Sequence, residues 1–292
     1  MKTKLNLQHI ENTVLEIVTQ AIQIIQKESL DLLSTQKVAY DGTLTDIATN
    51  GDLRAQEFYL TQIQKYFPTF GIIAEENSLT IPCKTNGFTA YFTIDPVDGT
   101  KAYARNQSHG VGTMIALIID SVVVLTVIGD TNSGDMYSYN SQGSAKRIRF
   151  GKFAQPLTAH TGNLIEKYIS IRSNPFEIPN TLQDMITGPT KLFKSFEVES
   201  GSIGIFFARL WKGEVGALLL DPNFITPWDE SPIAGLSMHM DFCFYKFDGD
   251  KFVSYTPTFS SDITHSSHYR LVLHKDYTEQ IENWNKKYEH TK

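Results

Sequence analysis

Cysteine and net positive charge are both scarce in this 292-residue sequence, and each scarcity excludes a class of protein. The two cysteines, Cys83 and Cys243, lie far apart and match neither a zinc-binding nor a redox spacing, so we expect buried thiols in a reducing compartment. The 26 basic and 32 acidic side chains give a net charge of −6. Because nucleic-acid-binding proteins carry a basic excess, we expect no nucleic acid polymer as a partner.

Long hydrophobic runs are also rare. The N-terminus has no apolar signal core, and the apolar stretch from Val111 to Gly129 is broken at its centre by Asp120 and Ser121. Two strands joined by an Asp-Ser turn explain this stretch better than a membrane-spanning helix does. We therefore expect a cytoplasmic protein without a membrane partner. Its hydrophobic content of 41% suits a sizeable core.

Apolar periodicity divides the chain into two halves. Residues 1–155 have two amphipathic helices followed by a run of mostly antiparallel strands, which is an α+β pattern. The first helix is expected to end near Leu33, and Ser34–Gly42 is expected to be a loop because it has no periodicity. Residues 156–292 alternate strands and helices, which favours a mixed or parallel sheet covered by helices. We expect the two halves to pack as one compact unit.

The strongest chemical signal is the motif Asp-Pro-Val-Asp-Gly-Thr at residues 95–100. It follows Phe88–Ile94, an aromatic and β-branched run typical of a strand. A turn at the strand end could aim the carboxylates of Asp95 and Asp98 at one point, and Gly99 would let the backbone approach a ligand closely. The N–H groups of a following helix would favour an anion.

Carboxylates beside an anion site require a cation between them. Hard oxygen ligands next to a phosphate-sized site indicate magnesium. The alternative is an Asx-Pro turn whose carboxylates lie at the surface.

Two further acids and one lysine could contribute to the same site. Glu75 and Glu76 follow the short apolar run Gly71–Ala74, and adjacent acids at a strand end repel each other unless a cation or a proton intervenes. Lys37 lies in the predicted loop after the first helix, and loops beside sites often carry function. Surface acids and a solvated lysine are the alternatives.

Several other polar residues precede helices, where they could serve only as caps. Asp46, Thr49 and Asp52 precede the second helix, and Asp229 lies at the start of a helix expected over Pro227–His239. Capping alone is a sufficient explanation for Thr49 and Asp52, and a cap is also the alternative for Asp229.

In combination, these pieces resemble the inositol monophosphatase superfamily, which includes bisphosphate nucleotidases, histidinol-phosphatases of this fold and fructose-1,6-bisphosphatases. The resemblance covers roughly Ile10 to Gly235. It rests on the order of the motifs along the chain, which is Asp46…Thr49…Asp52, Glu75-Glu76, Asp95 to Thr100, Gly201-Ser202 and Trp228-Asp229. The fold that it implies is a five-layered αβαβα sandwich of the sugar phosphatase type.

The resemblance also implies a set of metal ligands. Glu75, Asp95 and the carbonyl of Val97 match ligands of a first Mg²⁺ ion, and Asp95, Asp98 and Asp229 match ligands of a second. Glu75 also matches the ligand of a third, weaker ion. Two to three Mg²⁺ ions are therefore implied as cofactors.

Roles in catalysis and phosphate binding follow from the same resemblance. Asp46 and Thr100 match the pair that orients the attacking water. The N–H groups of Gly99 and Thr100 match the phosphate cradle. Inhibition by lithium is implied as well.

Substrate selectivity is expected to come from the second half and from the Lys37 loop. The candidates are Glu199, Ser200, Gly201, Ser202 and Asp221. Inositol-specific relatives carry a carboxylate seven residues before the Asp of Trp-Asp, where this sequence has Pro222. A lysine directly after Gly-Thr, here Lys101, resembles the sequence of the nucleotidase and histidinol-phosphatase branches more than that of the inositol-specific relatives. Lys101, Arg172 and Lys194 could meet a second phosphate, although nothing in the sequence brings them together.

The sequence thus predicts a Mg²⁺-dependent phosphomonoesterase for a small phosphorylated polyol or sugar, with inositol monophosphate as the default. The alternative enzymes are a 3′(2′),5′-bisphosphate nucleotidase and a histidinol-phosphatase. A metal-dependent phospho-ligand sensor without turnover is the alternative from another class. A homodimer is left open.

Overall fold

The computed structural model describes residues 5–149, 151–159 and 162–289. These residues form seven α-helices, which are α1 (Leu7–Glu28), α2 (Asn50–Tyr66), α3 (Thr100–Ala104), α4 (Asn180–Ile186), α5 (Ile203–Trp211), α6 (Pro227–His239) and α7 (Thr278–Glu289).

The same residues form eighteen strands. The strands of the first half are β1 (Ser34–Lys37), β2 (Asp46–Thr49), β3 (Gly71–Ala74), β4 (Leu79–Ile81), β5 (Ala90–Asp98), β6 (Gly112–Ile119), β7 (Val122–Asp130), β8 (Met136–Asn140), β9 (Lys146–Arg149) and β10 (Phe153–Pro156). Those of the second half are β11 (Tyr168–Ile171), β12 (Ser195–Val198), β13 (Ala217–Leu220), β14 (Asn223–Ile225), β15 (Phe242–Phe247), β16 (Phe252–Tyr255), β17 (Thr264–Ser266) and β18 (Arg270–His274).

The strands build two large sheets and two small ones. The first large sheet has the order β10-β9-β8-β7-β6-β5-β3-β4, in which only the β3–β5 pair of the described strands is parallel. The second has the order β12-β11-β13-β18-β15-β16, with β11 parallel to both of its neighbours and the other pairs antiparallel. A mostly antiparallel first sheet and a mixed second sheet were both predicted. The small sheets are β1–β2 and β14–β17.

Alternating side chains along the strands separate the hydrophobic interior into layers. In β6, Ile115 faces the core under α1 and α2, whereas Met114 faces the core that contains α5 and α6. In β13, Leu218 faces that same central core, whereas Leu219 faces a third core that contains α4 and α7. The layers are therefore two helices, a sheet, two helices, a sheet and two helices. The five-layered αβαβα prediction is confirmed.

The central core joins the two predicted halves. Met114 and Val123 of the first large sheet pack in one cluster with Phe206, Ile233 and Val272 of the second half. The first large sheet lies within residues 71–156 and the second within residues 168–274. The outer ends of the two predicted halves, residues 1–155 and 156–292, lie outside the described residues. The boundary between the halves at residue 155 stays a prediction.

The loop expected over Ser34–Gly42 begins as a strand. Ser34–Lys37 is β1 and pairs antiparallel with β2, so that Lys37 lies opposite Asp46. Its side chains are mostly exposed, so backbone hydrogen bonds and not apolar burial define this hairpin. A strand without an apolar face has no hydrophobic periodicity, which is why the sequence pattern missed it. The first helix also ends earlier than predicted, at Glu28, before a short 3₁₀ turn.

The apolar stretch Val111–Gly129 forms the hairpin β6–β7, as predicted. Its turn residues Asp120 and Ser121 have φ values of 48° and 65°, the positive angles that a tight type I′ hairpin turn requires. Among the helices that the structure describes, none combines the length and apolar character that crossing a bilayer requires. Cys83 and Cys243 are free thiols. Both are partly exposed, so the prediction that they are buried is wrong.

Candidate active site

The acidic residues of the 95–100 motif lie on a bulged strand and not on a turn. β5 continues through Asp98, and its pairing with β6 shifts by one residue between Asp95 and Asp98. In a regular strand, side chains three residues apart point to opposite faces. The extra residue of the bulge reverses that alternation and brings both carboxylates to one side. Pro96, which led us to expect a turn, is tolerated because it falls in the bulge.

Three carboxylates converge beside this bulge. Asp95, Asp98 and Asp229, here termed the acid cluster, each offer an oxygen within 4.8 Å of the others. Oδ1 of Asp95 is buried and has no hydrogen-bond partner among the described residues. A buried carboxylate oxygen without a partner is costly, and three carboxylates at this separation repel one another. The donor set therefore fits a divalent cation that prefers oxygen ligands.

The pKa values of the acid cluster reflect this crowding. Burial is the largest cause that raises the pKa of Asp95 well above its ordinary value, and the charges of Glu75, Asp98 and Asp229 raise it further. Burial, followed by the charge of Asp98, raises the pKa of Asp229 to about 7. Burial also raises the pKa of Asp98. The ionised cluster is thus unfavourable without a compensating positive charge.

The N-terminus of α5 orients Asp98. The hydroxyl of Ser202, the N-cap of α5, donates to Oδ2 of Asp98 at 2.5 Å. The N–H groups of Ile203 and Gly204 donate to Oδ1 and Oδ2 at 2.9 and 2.7 Å. Hydrogen bonds to the ionised form favour it. An acid of the first half is therefore held by a helix of the second half. Ser202, which we predicted to contact substrate, is instead buried behind Asp98.

Asp229 lies in the first turn of α6, but it is not the cap. Thr226 is the N-cap, and Pro227 takes the first helical position, where its missing N–H is harmless. The hydroxyl of Thr226 lies 2.8 Å from Oδ2 of Asp229 and 3.3 Å from its N–H. The alternative that Asp229 serves only as a cap is therefore wrong.

Glu75 and Glu76 have a cation supplied by the chain itself. Nζ of Lys37 lies 2.9 Å from a carboxylate oxygen of each glutamate and 3.8 Å from Oδ2 of Asp46. These four residues are termed the Lys37 cluster. Burial raises the pKa of Glu75 to about 8, although the charge of Lys37 opposes the shift. The solvated-lysine alternative for Lys37 and the surface alternative for the two glutamates are wrong.

Thr100 pairs with Asp52 and not with Asp46. Its hydroxyl lies 3.1 Å from Oδ1 of Asp52 and 2.9 Å from the carbonyl oxygen of Val97. Asp46 begins β2 opposite Lys37, whereas Asp52 lies in the first turn of α2. The predicted Asp46–Thr100 pair is therefore wrong. The sequence could not separate the two aspartates because the intervening strand was missed.

Asp52 also has the capping role that we predicted. Its Oδ2 accepts hydrogen bonds from the N–H and hydroxyl of Thr49 at 2.8 and 2.5 Å, which completes a capping box. Burial raises the pKa of Asp52 to about 6, against the lowering effect of the Thr49 hydroxyl. Asp52 thus links the start of α2 to the 95–100 motif.

Glycines allow two backbone segments to meet beside the acid cluster. Gly99 and Gly201 have φ values of +88° and +92°, which L side chains rarely adopt. A Cβ atom on Gly99 would lie 2.4 Å from the carbonyl oxygen of Gly110, and one on Gly201 would lie 2.3 Å from the same atom. That carbonyl accepts the N–H of Ser202 at 2.7 Å. The glycines therefore hold the 95–100 and 199–202 segments together.

The acid cluster opens into a cavity of about 370 Å³. The predicted site residues that line it are Asp46, Glu75, Asp95, Val97, Asp98, Gly99, Thr100, Lys101, Ser200, Gly201 and Asp229. Tyr40, Arg105 and Trp228 also line it, but we assigned them no role. A signal existed for Arg105, because it lies four residues after Lys101 and so shares its helical face.

The other substrate candidates lie elsewhere. Glu199 pairs with Arg209 at 2.5 Å and does not line the cavity, because that guanidinium draws it away. Asp221 accepts a hydrogen bond from Ser173 at 2.7 Å and lines a smaller neighbouring cavity of about 170 Å³. The ammonium group of Lys194 lies 5.5 Å from the ring centre of Tyr168. Of the three basic residues considered for binding a second phosphate, Lys101 and Arg172 line the cavity into which the acid cluster opens.

Solved structures with the same architecture are numerous, and three illustrate the similarity. A staphylococcal IMPase-I complexed with products is 18% identical, with 96% of each chain covered and a TM-score of 0.72. An IMPase/NADP phosphatase complexed with Mg²⁺ and phosphate gives the same values. A staphylococcal inositol monophosphatase-1 in a 100 mM LiCl-soaked inhibitory complex is 19% identical, with 97% and 96% covered and a TM-score of 0.72. No curated protein matches the chain.

The family model that matches the chain, together with the acidic cavity, indicates a metal-dependent phosphatase. The family model described as the inositol monophosphatase family matches residues 6–229. The chain belongs to the inositol monophosphatase family and is a phosphoric monoester hydrolase.

Proposed function

We propose that the protein hydrolyses a small phosphorylated polyol or sugar with Mg²⁺, and that inositol monophosphate is the default substrate. The observation that carries the proposal is the acid cluster, with three carboxylates within 4.8 Å and an unpaired buried oxygen on Asp95. It borders a cavity of about 370 Å³, which suits a small phosphorylated ring. Family membership supports the substrate class, and the similar structure with Mg²⁺ and phosphate supports the metal.

The donor atoms fit Mg²⁺, because they are carboxylate and carbonyl oxygens. Asp95, Asp98 and Asp229 would hold one ion, and Glu75, Asp95 and the Val97 carbonyl would hold another. When bound, such ions neutralise phosphate charge, supply a nucleophilic water and stabilise the leaving oxygen. Because Lys37 already lies between Glu75 and Glu76, we propose two ions and not three.

The Asp52–Thr100 pair is proposed to position the attacking water. The hydroxyl of Thr100 has one proton and two acceptors within reach, Asp52 and the Val97 carbonyl. Donation to ionised Asp52 leaves the carbonyl available as a ligand and the hydroxyl lone pairs available to accept a hydrogen bond from water. Asp52 thereby fixes the rotation of the hydroxyl. Asp46, which is held towards Lys37, is not needed for this step.

Phosphate binding is proposed at the backbone of Gly99 and Thr100, which borders the cavity beside the acid cluster. Selectivity among polyols is expected to be weak. Pro222 occupies the position of the inositol-binding carboxylate, and Asp221 is engaged by Ser173. We expect kcat/KM values for different polyol monophosphates to lie within about tenfold, or about 1.4 kcal/mol.

The test is release of inorganic phosphate from inositol 1-phosphate by the purified protein, with Mg²⁺ and with excess chelator. We expect turnover only with Mg²⁺, while circular dichroism shows the same fold in both conditions. Full activity in chelator would reject the proposed role of the metal. Tight binding of inositol 1-phosphate without turnover would instead support the sensor alternative.

A panel that adds a bisphosphate nucleotide and histidinol phosphate tests the substrate. A preference above about a hundredfold, or about 2.7 kcal/mol, for either compound would reject inositol monophosphate as the default.

A further inference from the structure

An aromatic residue borders the cavity into which the acid cluster opens, here termed the main cavity. Tyr40 lies in the turn between β1 and β2 and lines this cavity together with Asp46 and Glu75. The residue is 40% exposed, so part of its side chain is accessible to a ligand. Neither the proposed metal ligands nor the proposed water-positioning pair includes it.

Hydrogen bonds within the turn fix the backbone on both sides of Tyr40. The N–H of Ala39 donates to the carbonyl oxygen of Thr43 at 2.8 Å, and the N–H of Gly42 donates to that of Ala39 at 2.9 Å. Oδ1 of Asp41 accepts the N–H and the hydroxyl of Thr43 at 2.8 and 2.6 Å. Gly42 has a φ of +84°, which glycine adopts readily. The chain thus defines the position of Tyr40 before a ligand binds.

Two aromatic rings of the second half support the ring of Tyr40. Its centre lies 5.8 Å from that of Phe224 on β14 and 6.4 Å from that of Trp228 on α6. Both separations lie within the range of favourable aromatic pairs. Phe224 in turn contacts His265 of β17, with 5.0 Å between the ring centres. A ring held in this way loses little conformational freedom when a ligand packs against it.

The rest of the lining offers a ligand almost no apolar surface. Val97 and Ala102, the aliphatic residues of the lining, are fully buried, and Trp228 is 3% exposed. The other lining residues are acids, bases, hydroxyl-bearing residues and glycines. Within the described part of the chain, Tyr40 is therefore the main apolar surface that the cavity presents.

A phosphorylated polyol has two chemically different parts. Its phosphate is met by the proposed metal ions and by the backbone of Gly99 and Thr100. Its carbon skeleton carries C–H groups, whose removal from water requires an apolar surface. In the main cavity, Tyr40 supplies that surface.

We propose that Tyr40 is a specificity-determining residue, whose ring packs against the carbon ring of the leaving alcohol. The inference rests on the proposed phosphatase function and adds a substrate contact to it. A cyclic polyol presents its ring C–H groups on a preformed face, whereas an open chain loses conformational entropy when it covers the same area. The enzyme should therefore prefer phosphate esters of cyclic polyols over those of acyclic polyols.

The phenol hydroxyl is not needed for this role. Burial is the largest cause that raises the pKa of Tyr40 above its ordinary value, and the charge of Glu75 raises it further, against the opposite effect of Lys37. The side chain therefore stays neutral at the pH of a phosphatase assay and acts through its ring.

The experiment compares inositol 1-phosphate with glycerol 2-phosphate. Both are esters of a secondary alcohol flanked by hydroxyl-bearing carbons, and only the first has a ring. We expect kcat/KM of the native enzyme to be about fivefold higher for the ring ester, which corresponds to the burial of roughly one methylene group. This preference lies within the range of about tenfold expected among polyol monophosphates. A native ratio near one would overturn the proposal.

Variants of Tyr40 assign the preference. In Y40A the ratio should fall to about one through a higher KM for inositol 1-phosphate, while kcat/KM for glycerol 2-phosphate changes by less than about twofold. Y40F keeps the ring and should retain the native ratio. Y66A, which removes an exposed tyrosine of α2, is the matched control and should also retain it.

A purely structural role predicts a different result. If the ring only anchored the hairpin to the second half, Y40A would lower kcat/KM for both esters by the same factor. Y40Q, which keeps a long side chain without a ring, provides a second measurement. Equal losses for both esters in Y40A and Y40Q would overturn the proposal. Loss of the preference in Y40F would assign it to the hydroxyl and would also overturn the proposal.

A binding measurement separates this proposal from the proposed function. In titration calorimetry with Ca²⁺ in place of Mg²⁺, the native protein should bind inositol 1-phosphate about fivefold more tightly than glycerol 2-phosphate. Y40A should bind both esters alike, even if neither is hydrolysed. Hydrolysis of inositol 1-phosphate by Y40A with the native ratio would retain the phosphatase and reject the role of Tyr40.

Discussion

The site contains two groups of acids that solve the same electrostatic problem differently. In the Lys37 cluster, a lysine lies 2.9 Å from both Glu75 and Glu76. In the acid cluster, three carboxylates within 4.8 Å of one another have no such partner among the described residues, and Oδ1 of Asp95 is unpaired. A permanent ammonium group satisfies the first cluster in the protein alone. The second requires an exchangeable cation.

This difference separates acids that a lysine holds from acids that need a metal ion, and Glu75, a proposed metal ligand, belongs to both groups. A lysine fixes the β1–β2 hairpin against β3 and cannot present an open coordination position to a substrate. A metal ion can hold carboxylates and still bind a phosphate oxygen or a water. Removal of an acid should therefore affect turnover most in the acid cluster and least at Glu76 and Asp46, with Glu75, a proposed metal ligand, between these extremes.

The largest expected effect is that of D95N. Asp95 is shared by both proposed metal positions, and its loss should lower kcat for inositol 1-phosphate by about a thousandfold or more, because metal-bound charge and water are lost together. Stability should not fall, since the variant removes repulsion and not packing. Steady-state kinetics and thermal unfolding in chelator measure the two effects.

The matched control for D95N is D241N, the same chemical change at an exposed residue that pairs with Lys275. It should keep native kcat. A D95N protein within tenfold of native activity would show that the acid cluster is not the catalytic centre.

The next prediction distinguishes Asp52 from Asp46, the two aspartates whose roles the sequence could not separate. D52N should lower kcat by about a hundredfold with little change in KM, because water positioning matters in the transition state. T100A should have a similar effect, and the double variant should be no worse than either single variant. D46N should change kcat by less than about threefold, because Asp46 lies outside the Asp52–Thr100 pair. A larger loss in D46N than in D52N would restore the original assignment.

The raised pKa of Asp52 gives this pair a pH signature. With a folded-state pKa of about 6, Asp52 is protonated below pH 6 and becomes a much weaker acceptor for the hydroxyl of Thr100. Activity of the Mg²⁺-saturated enzyme should fall about tenfold per pH unit below that value.

Folding stability should respond to pH in the opposite sense. The unfolded chain releases this proton near the ordinary value of 3.8, so the contribution of Asp52 is lost as pH rises from about 4 to about 6, by about 3 kcal/mol at most. Denaturant titrations across this range should show a smaller loss in D52N than in the native protein.

The sequence identified the whole acid cluster because motif and chemistry coincide there. Asp95, Asp98 and Asp229 were all found, and the layered fold was implied by the resemblance. The bulge in β5 was not predictable, because only the pairing with β6 shows that Pro96 lies inside a strand. Local pattern thus identified the residues but not the geometry that joins them.

The second half was harder to read from sequence, because its polar residues interact across long separations. Glu199 looked like a substrate acceptor until Arg209 was placed beside it. Ser202 also looked like a residue that contacts substrate, although its hydroxyl donates a hydrogen bond to Asp98. Arg172 has no local motif, and only the packing of β11 against the Gly201 segment brings it to the cavity. Tertiary neighbours, and not propensities, determine these roles.

Lithium should produce a smaller effect, and a graded one. A monovalent ion can occupy an oxygen-lined position while it neutralises only half of the charge of Mg²⁺, so about half of the activity should be lost at roughly tens of millimolar LiCl. The lithium-soaked relative motivates this expectation. Titration of LiCl against NaCl at equal ionic strength, with phosphate release as the readout, separates inhibition from screening. Identical inhibition curves for LiCl and NaCl would contradict the prediction of specific inhibition by lithium.

The smallest effect on turnover is expected for K37M, which tests the comparison between the two clusters directly. Removal of the ammonium leaves Glu75 and Glu76 facing each other without a cation, so the variant should gain a further Mg²⁺ or Ca²⁺ site in titration calorimetry. The native protein should bind two ions and K37M three, whereas kcat should fall by only about threefold because the acid cluster is retained. K65M, at an exposed lysine of α2, should bind two ions like the native protein. Three ions in the native protein would show that Lys37 does not replace a metal. An unchanged count in K37M would show that the two glutamates do not form a further metal site when the lysine is removed.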